Sequence, residues 1–87
     1  MLNNNTICAI ATASGGAIGI IRISGPEAIS IADKIFFPIG SNLSLSQRNA
    51  YTLAFGNIVN AEKEVVDEVL VSIFRAPHSY TGEDSVE

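Results

Sequence analysis

The sequence predicts an α+β fold: a small mixed or antiparallel sheet with one main helix packed on one face. Five short runs are β-branched and apolar or alternate in polarity, whereas one stretch carries apolar residues at helical spacing. The predicted order, strand-strand-helix-strand-strand-strand, lacks the helix between successive parallel strands that a doubly wound sheet requires. With 87 residues, the chain forms one domain at most.

The first two predicted strands are joined by a loop of small residues. Residues 6–11 (TICAIA) are apolar and partly β-branched, which predicts a strand buried on both faces, and residues 18–23 (IGIIRI) predict the second strand. The glycines of the loop at residues 12–17 suit a tight turn between paired strands. The loop matches neither G-x-x-x-x-G-K-[ST] nor G-x-G-x-x-G, and a strand follows it, so the pattern does not favour a phosphate-binding loop.

One charged residue, Arg22, interrupts the second predicted strand. Alternation along a strand places Arg22 on the face opposite to Ile21 and Ile23. A guanidinium group stays protonated in proteins and is rarely buried without an anionic partner. We therefore expect Arg22 either at the open end of the strand or opposite a carboxylate or an anionic ligand, and Asp67 is one candidate partner.

The single predicted helix follows the second strand. Ser24 and Glu27 have the spacing of a capping box, and Pro26 fits the first helical turn. Because Pro38 disfavours a helical residue before it, the helix is expected to end near Phe37. Its apolar stripe is expected to pack on the sheet and consists of Ala28, Ile31, Ala32, Ile35 and Phe36.

The second half of the chain predicts a β-hairpin and the beginning of a further strand. Residues 51–59 (YTLAFGNIV) and 65–75 (VVDEVLVSIFR) alternate in polarity around a polar turn, which predicts an antiparallel pair. In the first of these strands, the residues expected to share a face are Tyr51, Leu53, Phe55 and Val59. A strand is also expected to begin at residues 83–87, and because no turn signal closes it, we expect the domain to be part of a longer protein.

Composition excludes several functions for this stretch. The net charge is −4 and no Lys/Arg cluster occurs, so the domain alone is not expected to bind a phosphate backbone. Cys8 is the only cysteine, which excludes an internal disulfide and a cysteine-based zinc site, and it is expected in the core. No secretory signal is evident, and no apolar run approaches the roughly 20 residues that span a bilayer, so the prediction is a cytoplasmic protein without a membrane partner.

Two further groups of residues are candidates for catalysis or metal binding. Glu83, Asp84 and Glu87 suggest a metal site or a general-acid pair as one hypothesis, although solvated charge is the commoner outcome for such a stretch. His78 is the only histidine and has no cysteine or serine arranged with it as a triad, so the pattern does not favour catalysis there. Tyr80 is interpreted as a packing residue.

Several stretches together carry a family resemblance. Residues 6–12 (TICAIAT), 19–25 (GIIRISG) and 74–87 (FRAPHSYTGEDSVE) closely resemble the N-terminal domain of the tRNA modification GTPase family MnmE, also called TrmE. The tetrapeptide DEVL at residues 67–70 lies at the expected place between them. The resemblance implies the tetrahydrofolate-binding fold of one-carbon enzymes. Residues 1–87 would be part of an N-terminal folate-binding and dimerisation domain, with the helical and GTPase domains absent.

The same resemblance implies a function. The domain would bind a 5-formyl-tetrahydrofolate-type one-carbon carrier and form a homodimer. The complete protein, with the flavin-dependent partner MnmG (GidA), would add an aminomethyl or carboxymethylaminomethyl group at carbon 5 of the wobble uridine of certain tRNAs. GTP, magnesium and potassium would belong to the missing GTPase domain, so these 87 residues would not hydrolyse GTP.

Two positions match the folate-contacting residues of the family. Arg22 matches the arginine of the R-[IV]-S-G motif, and Glu87 matches the glutamate that ends G-E-D-x-x-E. A carboxylate can accept hydrogen bonds from the adjacent N–H groups of a pterin, and a guanidinium can bind an anionic glutamyl tail. Which of the two residues binds the pterin and which binds the tail is left open. The family's Pro-Pro-Gly-Arg-Gly-Gly loop is replaced by a shorter loop without arginine, residues 13–16 (ASGG). The alternative function is an interaction or dimerisation module that binds no ligand.

Overall fold

The computed structural model describes residues 5–12 and 15–87, which form a six-stranded sheet with one short helix. The strands are β1 (Ile7–Ile10), β2 (Ile21–Ser24), β3 (Phe36–Pro38), β4 (Thr52–Val59), β5 (Val65–Phe74) and β6 (Ser85–Val86). Their spatial order is β1-β2-β6-β5-β4-β3, and every neighbouring pair is antiparallel. Helix α1 (Ala28–Asp33) follows β2, and a 3-10 helix (Leu45–Gln47) precedes β4.

The predicted α+β fold with one main helix is wrong, because the antiparallel sheet dominates the molecule and α1 has only six residues. The helix ends at Asp33 instead of near Phe37, because the chain from Phe36 to Pro38 pairs with β4 as an edge strand. The expected capping box is not formed, since the side chain of Ser24 is directed to another loop, described below.

The core lies between α1 and the sheet face that it covers, which we call the inner face. Because paired residues in an antiparallel sheet point to the same side, the inner-face residues follow from the register of the strands. Leu45 and Ile73 are completely buried, and Asp33 Oδ1 accepts a hydrogen bond from the Leu45 amide (2.7 Å), which ties the 3-10 helix to α1. The core cluster consists of Ile29, Ala32, Phe36, Leu45, Ala54, Val71, Ile73 and Val86.

The opposite face of the sheet, the outer face, is largely open. Leu53 is 62% exposed, Phe55 45% and Leu70 61%. A bulge between Ile58 and Val59 changes the register of β4, and Val59 is buried. Of the four residues expected to share a face, Tyr51, Leu53 and Phe55 are exposed, so the expectation is wrong for Val59, which lies next to the bulge.

Strand β1 is more exposed than its composition predicts. All four of its residues are exposed, including Cys8, so neither the doubly buried strand nor the core position of Cys8 is confirmed. The physical reason is that β1 lies at the edge of the sheet, beyond the strands β2, β6 and β3 against which α1 packs. Across the described ranges, 5–12 and 15–87, neither α1 nor the 3-10 helix has the length or apolarity needed to cross a membrane.

Candidate functional site

The site is built around an ion pair between two neighbouring strands. The register that pairs Ile23 with Val86 brings Arg22 and Glu87 together across the strand boundary on the outer face, although 65 positions separate them in the chain. Arg22 Nε donates a hydrogen bond to Glu87 Oε2 at 2.5 Å. Arg22 was predicted to lie opposite a carboxylate as one alternative, and Glu87 supplies that carboxylate. The alternative partner Asp67 is wrong, because its pairing with Ile58 places it on the inner face, opposite to Arg22.

Three aromatic rings extend from this ion pair, and we call them the aromatic row. The Arg22 guanidinium carbon lies 5.5 Å from the centroid of the Tyr80 ring, a cation–π distance. Tyr80 and Phe74 meet edge to face with centroids 5.8 Å apart, and Phe74 and Tyr51 do so at 6.1 Å. The Tyr51 hydroxyl donates to the carbonyl oxygen of His78 (2.5 Å), so this histidine contributes its backbone to the row. The arrangement places an exposed aromatic surface beside the ion pair.

A buried serine anchors the loop that carries Tyr80. Ser24 is 2% exposed, and its Oγ lies 2.7 Å from Thr81 Oγ1 and 3.1 Å from Glu83 Oε2. These bonds join β2 to the loop between β5 and β6. Since Arg22 lies two positions before Ser24 on the same face, the contacts fix Tyr80 next to the guanidinium group.

Ser24→Ala is expected to destabilise the chain by about 1–2 kcal/mol, because Thr81 Oγ1 and Glu83 Oε2 lose a buried partner. Urea denaturation measures this as a lower midpoint with an unchanged slope. Ser30→Ala is the matched control, since its Oγ donates to the Glu27 carbonyl on an exposed helix surface (3.0 Å). Equal losses in both variants would contradict the anchoring role of Ser24.

The three acidic residues considered above do not act as one cluster. Glu83 faces Ser24, and Asp84 Oδ1 accepts a hydrogen bond from the Ala76 amide (2.8 Å). Glu87 takes part in the ion pair. Within the described part of the chain, no three His, Cys, Asp or Glu side chains are arranged to hold a metal ion. The hypothesis of a metal or acid–base site built on these carboxylates therefore has no structural support.

Sequence reasoning missed two contributors to the site. The sequence predicts that Ser24 caps the helix and that Tyr80 packs, whereas Ser24 anchors the loop that carries Tyr80 and Tyr80 lies over Arg22. The signal for Ser24 was available, since alternation along β2 places it on the face of Arg22. Tyr80 sits on a loop whose position depends on distant hydrogen bonds. The shortened loop involves Ala13 and Ser14, which lie outside the described residues.

Comparison with known proteins agrees with the resemblance. A family model described as the GTP-binding protein TrmE N-terminus matches residues 6–87. A tRNA modification GTPase MnmE from Bacteroides thetaiotaomicron is 67% identical over 86 residues, which cover 99% of this chain and 18% of that protein. The protein of the same name from Flavobacterium johnsoniae is 51% identical over 88 residues, covering 100% of this chain and 18% of the relative. The chain thus spans less than a fifth of these relatives, and it belongs to the family of TrmE N-terminal domains.

Proposed function

We propose that the chain is the folate-binding and dimerising N-terminal part of a tRNA-modifying GTPase. It binds a 5-formyl-tetrahydrofolate-type carrier through Arg22 and Glu87. The observation that carries this proposal is the Arg22–Glu87 pair on the outer face, bordered by the exposed ring of Tyr80. A folate combines a planar pterin with an anionic glutamyl tail, and this site combines an aromatic surface with charges of both signs.

The polar atoms at the ion pair fit such a ligand. The Arg22–Glu87 contact uses only Nε of Arg22 and Oε2 of Glu87. Among the described residues, no hydrogen bond engages the two Nη atoms of Arg22 or Oε1 of Glu87. The guanidinium can therefore donate to an anionic or carbonyl oxygen, and the carboxylate can accept from N–H groups. Toward the residues that the structure describes, both groups keep a free polar edge while they neutralise one another.

Each side chain has a separate task in this proposal. The paired charges hold one another in position, so the free edges are oriented before the ligand arrives. Tyr80 is 78% exposed and offers its ring for stacking against a planar group. Folate supplies the one-carbon unit when bound, and the residues of this chain bind and orient it. Whether the pterin meets Glu87 or Arg22 is decided by the ligand's own pattern of donors and acceptors.

The wider reaction belongs to a longer protein. The relatives are named tRNA modification GTPases, and this chain covers 18% of their length. In the proposed assembly, a homodimer formed through this domain works in the cytoplasm with the flavin-dependent MnmG (GidA). Together they add the (carboxymethyl)aminomethyl group at carbon 5 of the wobble uridine in tRNA. GTP, magnesium and potassium act in the separate GTPase domain.

Titration calorimetry of the chain with 5-formyl-tetrahydrofolate tests the proposed site. We expect saturable heat and a melting temperature that rises with ligand concentration, because a ligand that binds only the folded state stabilises it. The matched ligand control is p-aminobenzoylglutamate, which carries the tail without the pterin and is expected to bind more weakly. The absence of heat and of a thermal shift, both here and in a full-length relative, would refute folate binding.

An interaction module without ligand binding is the second candidate function. It is favoured by the apolar outer face, where Leu53, Phe55 and Leu70 are all at least 45% exposed. Such a surface is typical of protein contacts. Light scattering at micromolar concentration separates the two candidates, because a dimer that releases no heat with folate supports the interaction module.

A further inference from the structure

Tyr51 has a backbone conformation that tyrosine rarely adopts. Its φ angle is 62°, in the left-handed region, where a bulky side chain is strained. Strained residues persist where their surroundings hold them in place, and they cluster at ligand sites. Burial of the ring does not explain the strain, because Tyr51 is 65% exposed. The conformation therefore serves to place an exposed ring.

Two hydrogen bonds hold Tyr51 in this conformation. Its amide donates to the Ile73 carbonyl (2.7 Å), and its hydroxyl donates to the His78 carbonyl (2.5 Å). Because the backbone and the tip of the side chain are both fixed, the ring is held against Phe74. Tyr51 thus forms the end of the aromatic row that lies away from the ion pair.

The ion pair, at the other end of the row, matches the pterin of a folate better than its tail. Glu87 Oε1 can accept hydrogen bonds from the adjacent N–H groups of a pterin, while the Nη atoms of Arg22 can donate to its carbonyl oxygen. The glutamyl tail carries two carboxylates, which Glu87 would repel. The bound folate is therefore oriented with its pterin at the ion pair and its tail away from it.

The p-aminobenzoyl ring of a folate lies between the pterin and the tail, and the aromatic row offers it a surface. From Tyr80, which lies over Arg22, the rings follow one another at centroid distances of 5.8 Å and 6.1 Å. A short methylene-amine bridge joins the two ring systems of a folate, so a ligand with its pterin on Tyr80 can place its second ring on the adjoining part of the row. Phe74 is half-buried, so Tyr51 presents the more accessible ring there.

We propose that Tyr51 contacts the p-aminobenzoyl ring and thereby makes the site select a complete folate over a free pterin. This role of Tyr51 rests on the folate binding proposed above, to which it adds a residue and a direction for the ligand. Loss of an aromatic pair is expected to weaken folate binding roughly 2- to 12-fold. A free pterin does not reach Tyr51, so its affinity is expected to stay unchanged.

Titration of the Tyr51→Gly protein with two ligands tests the proposal. The ligands are 5-formyl-tetrahydrofolate and 6-methyl-tetrahydropterin, which lacks the p-aminobenzoylglutamate. The preference for the complete folate, measured as the ratio of the two dissociation constants, is expected to fall roughly 2- to 12-fold. Glycine suits the left-handed conformation, so the release of strain offsets the lost ring contacts and the variant is expected to fold. Tyr51→Asn repeats the test with a second residue that tolerates this conformation.

Three further variants serve as controls. Tyr51→Phe keeps the ring and is expected to keep the wild-type ratio. Lys63→Gly matches the backbone change, because Lys63 is the other non-glycine residue with a positive φ angle (67°) in the part of the chain that the structure describes, and it lies in the turn at the opposite end of β4. Leu70→Ala removes an exposed aliphatic side chain in the other direction along the outer face. Neither of the last two is expected to change the ratio.

The remaining outcomes overturn the role of Tyr51. An unchanged ratio in Tyr51→Gly and Tyr51→Asn, with folate still bound, refutes this role alone, and a fall in Leu70→Ala instead would place the second ring in the other direction. Equal losses for both ligands would mean that Tyr51 supports the fold of the site without contacting the second ring. If the wild-type protein binds neither ligand, the folate-binding function is refuted together with the role of Tyr51.

Discussion

Arg22→Ala is expected to weaken binding of 5-formyl-tetrahydrofolate by roughly 10- to 100-fold, while it changes the free energy of unfolding by no more than about 1 kcal/mol. The side chain of Arg22 is 35% exposed, and ion pairs open to solvent contribute little to stability. Its contribution to the ligand is larger, because charge-assisted hydrogen bonds are each worth about 1.5–3 kcal/mol, or roughly 10- to 100-fold in affinity. Titration calorimetry measures the affinity, and thermal denaturation the stability.

Arg22→Lys separates charge from shape at the same position. Lysine keeps the positive charge but loses the planar, multidentate donor edge, so binding is expected to fall at least about tenfold. Lys34→Ala is the control, because it removes an exposed positive charge near the end of α1, on the inner side of the sheet. Wild-type affinity in a folded Arg22→Ala chain would rule out Arg22 as a folate ligand.

Gly56→Ala is expected to lower the melting temperature by roughly 4–24 °C. A Cβ at Gly56 would overlap the backbone carbonyl of Phe37 and lie 2.7–2.8 Å from atoms of the Phe36 ring. The carbonyl belongs to β3, so relief of the overlap requires β3 to move away from β4. Overpacking of this kind costs about 1–3 kcal/mol, and each 1 kcal/mol corresponds to roughly 4–8 °C in a domain of this size.

Gly19→Ala provides the matched control for this prediction. A Cβ at Gly19 meets no atom within 4 Å, and its φ angle lies outside the left-handed region, so neither overlap nor backbone strain is expected. Circular dichroism melts of both variants make the comparison. If the Gly56→Ala and Gly19→Ala chains have the same melting temperature, β3 does not pack closely on β4.

Local patterns predicted the parts of the fold that depend on neighbouring residues. The β4–β5 hairpin is confirmed nearly to the residue, because both strands alternate in polarity around a polar turn. Strand β3 was missed because its three residues include Pro38 and directly follow a helical pattern, and only pairing with β4 makes them a strand. The position of β6 between β2 and β5 is set by pairing across long sequence separations, which periodicity does not encode.

The sequence predicts one residue of the candidate site from its chemistry but not the residues that surround it. Arg22 could be predicted as a site residue, because it is a lone charge in an apolar strand and a buried charge requires a partner of opposite sign. Selecting Glu87 over Asp67 as the partner requires the strand order. The resemblance implied that Arg22 and Glu87 both contact folate, but it gave neither the strand order nor the ion pair. The aromatic row depends on the loop between β5 and β6, whose position follows from buried contacts of Ser24 and not from the loop's own sequence.

The aromatic row gives the protein a built-in optical probe. The chain contains two tyrosines and no tryptophan, and both tyrosines, Tyr51 and Tyr80, belong to this row. All intrinsic tyrosine emission therefore originates within one small region beside Arg22. A ligand that stacks on Tyr80 should quench the part of the emission that Tyr80→Phe removes, so occupancy of the site can be followed without a label.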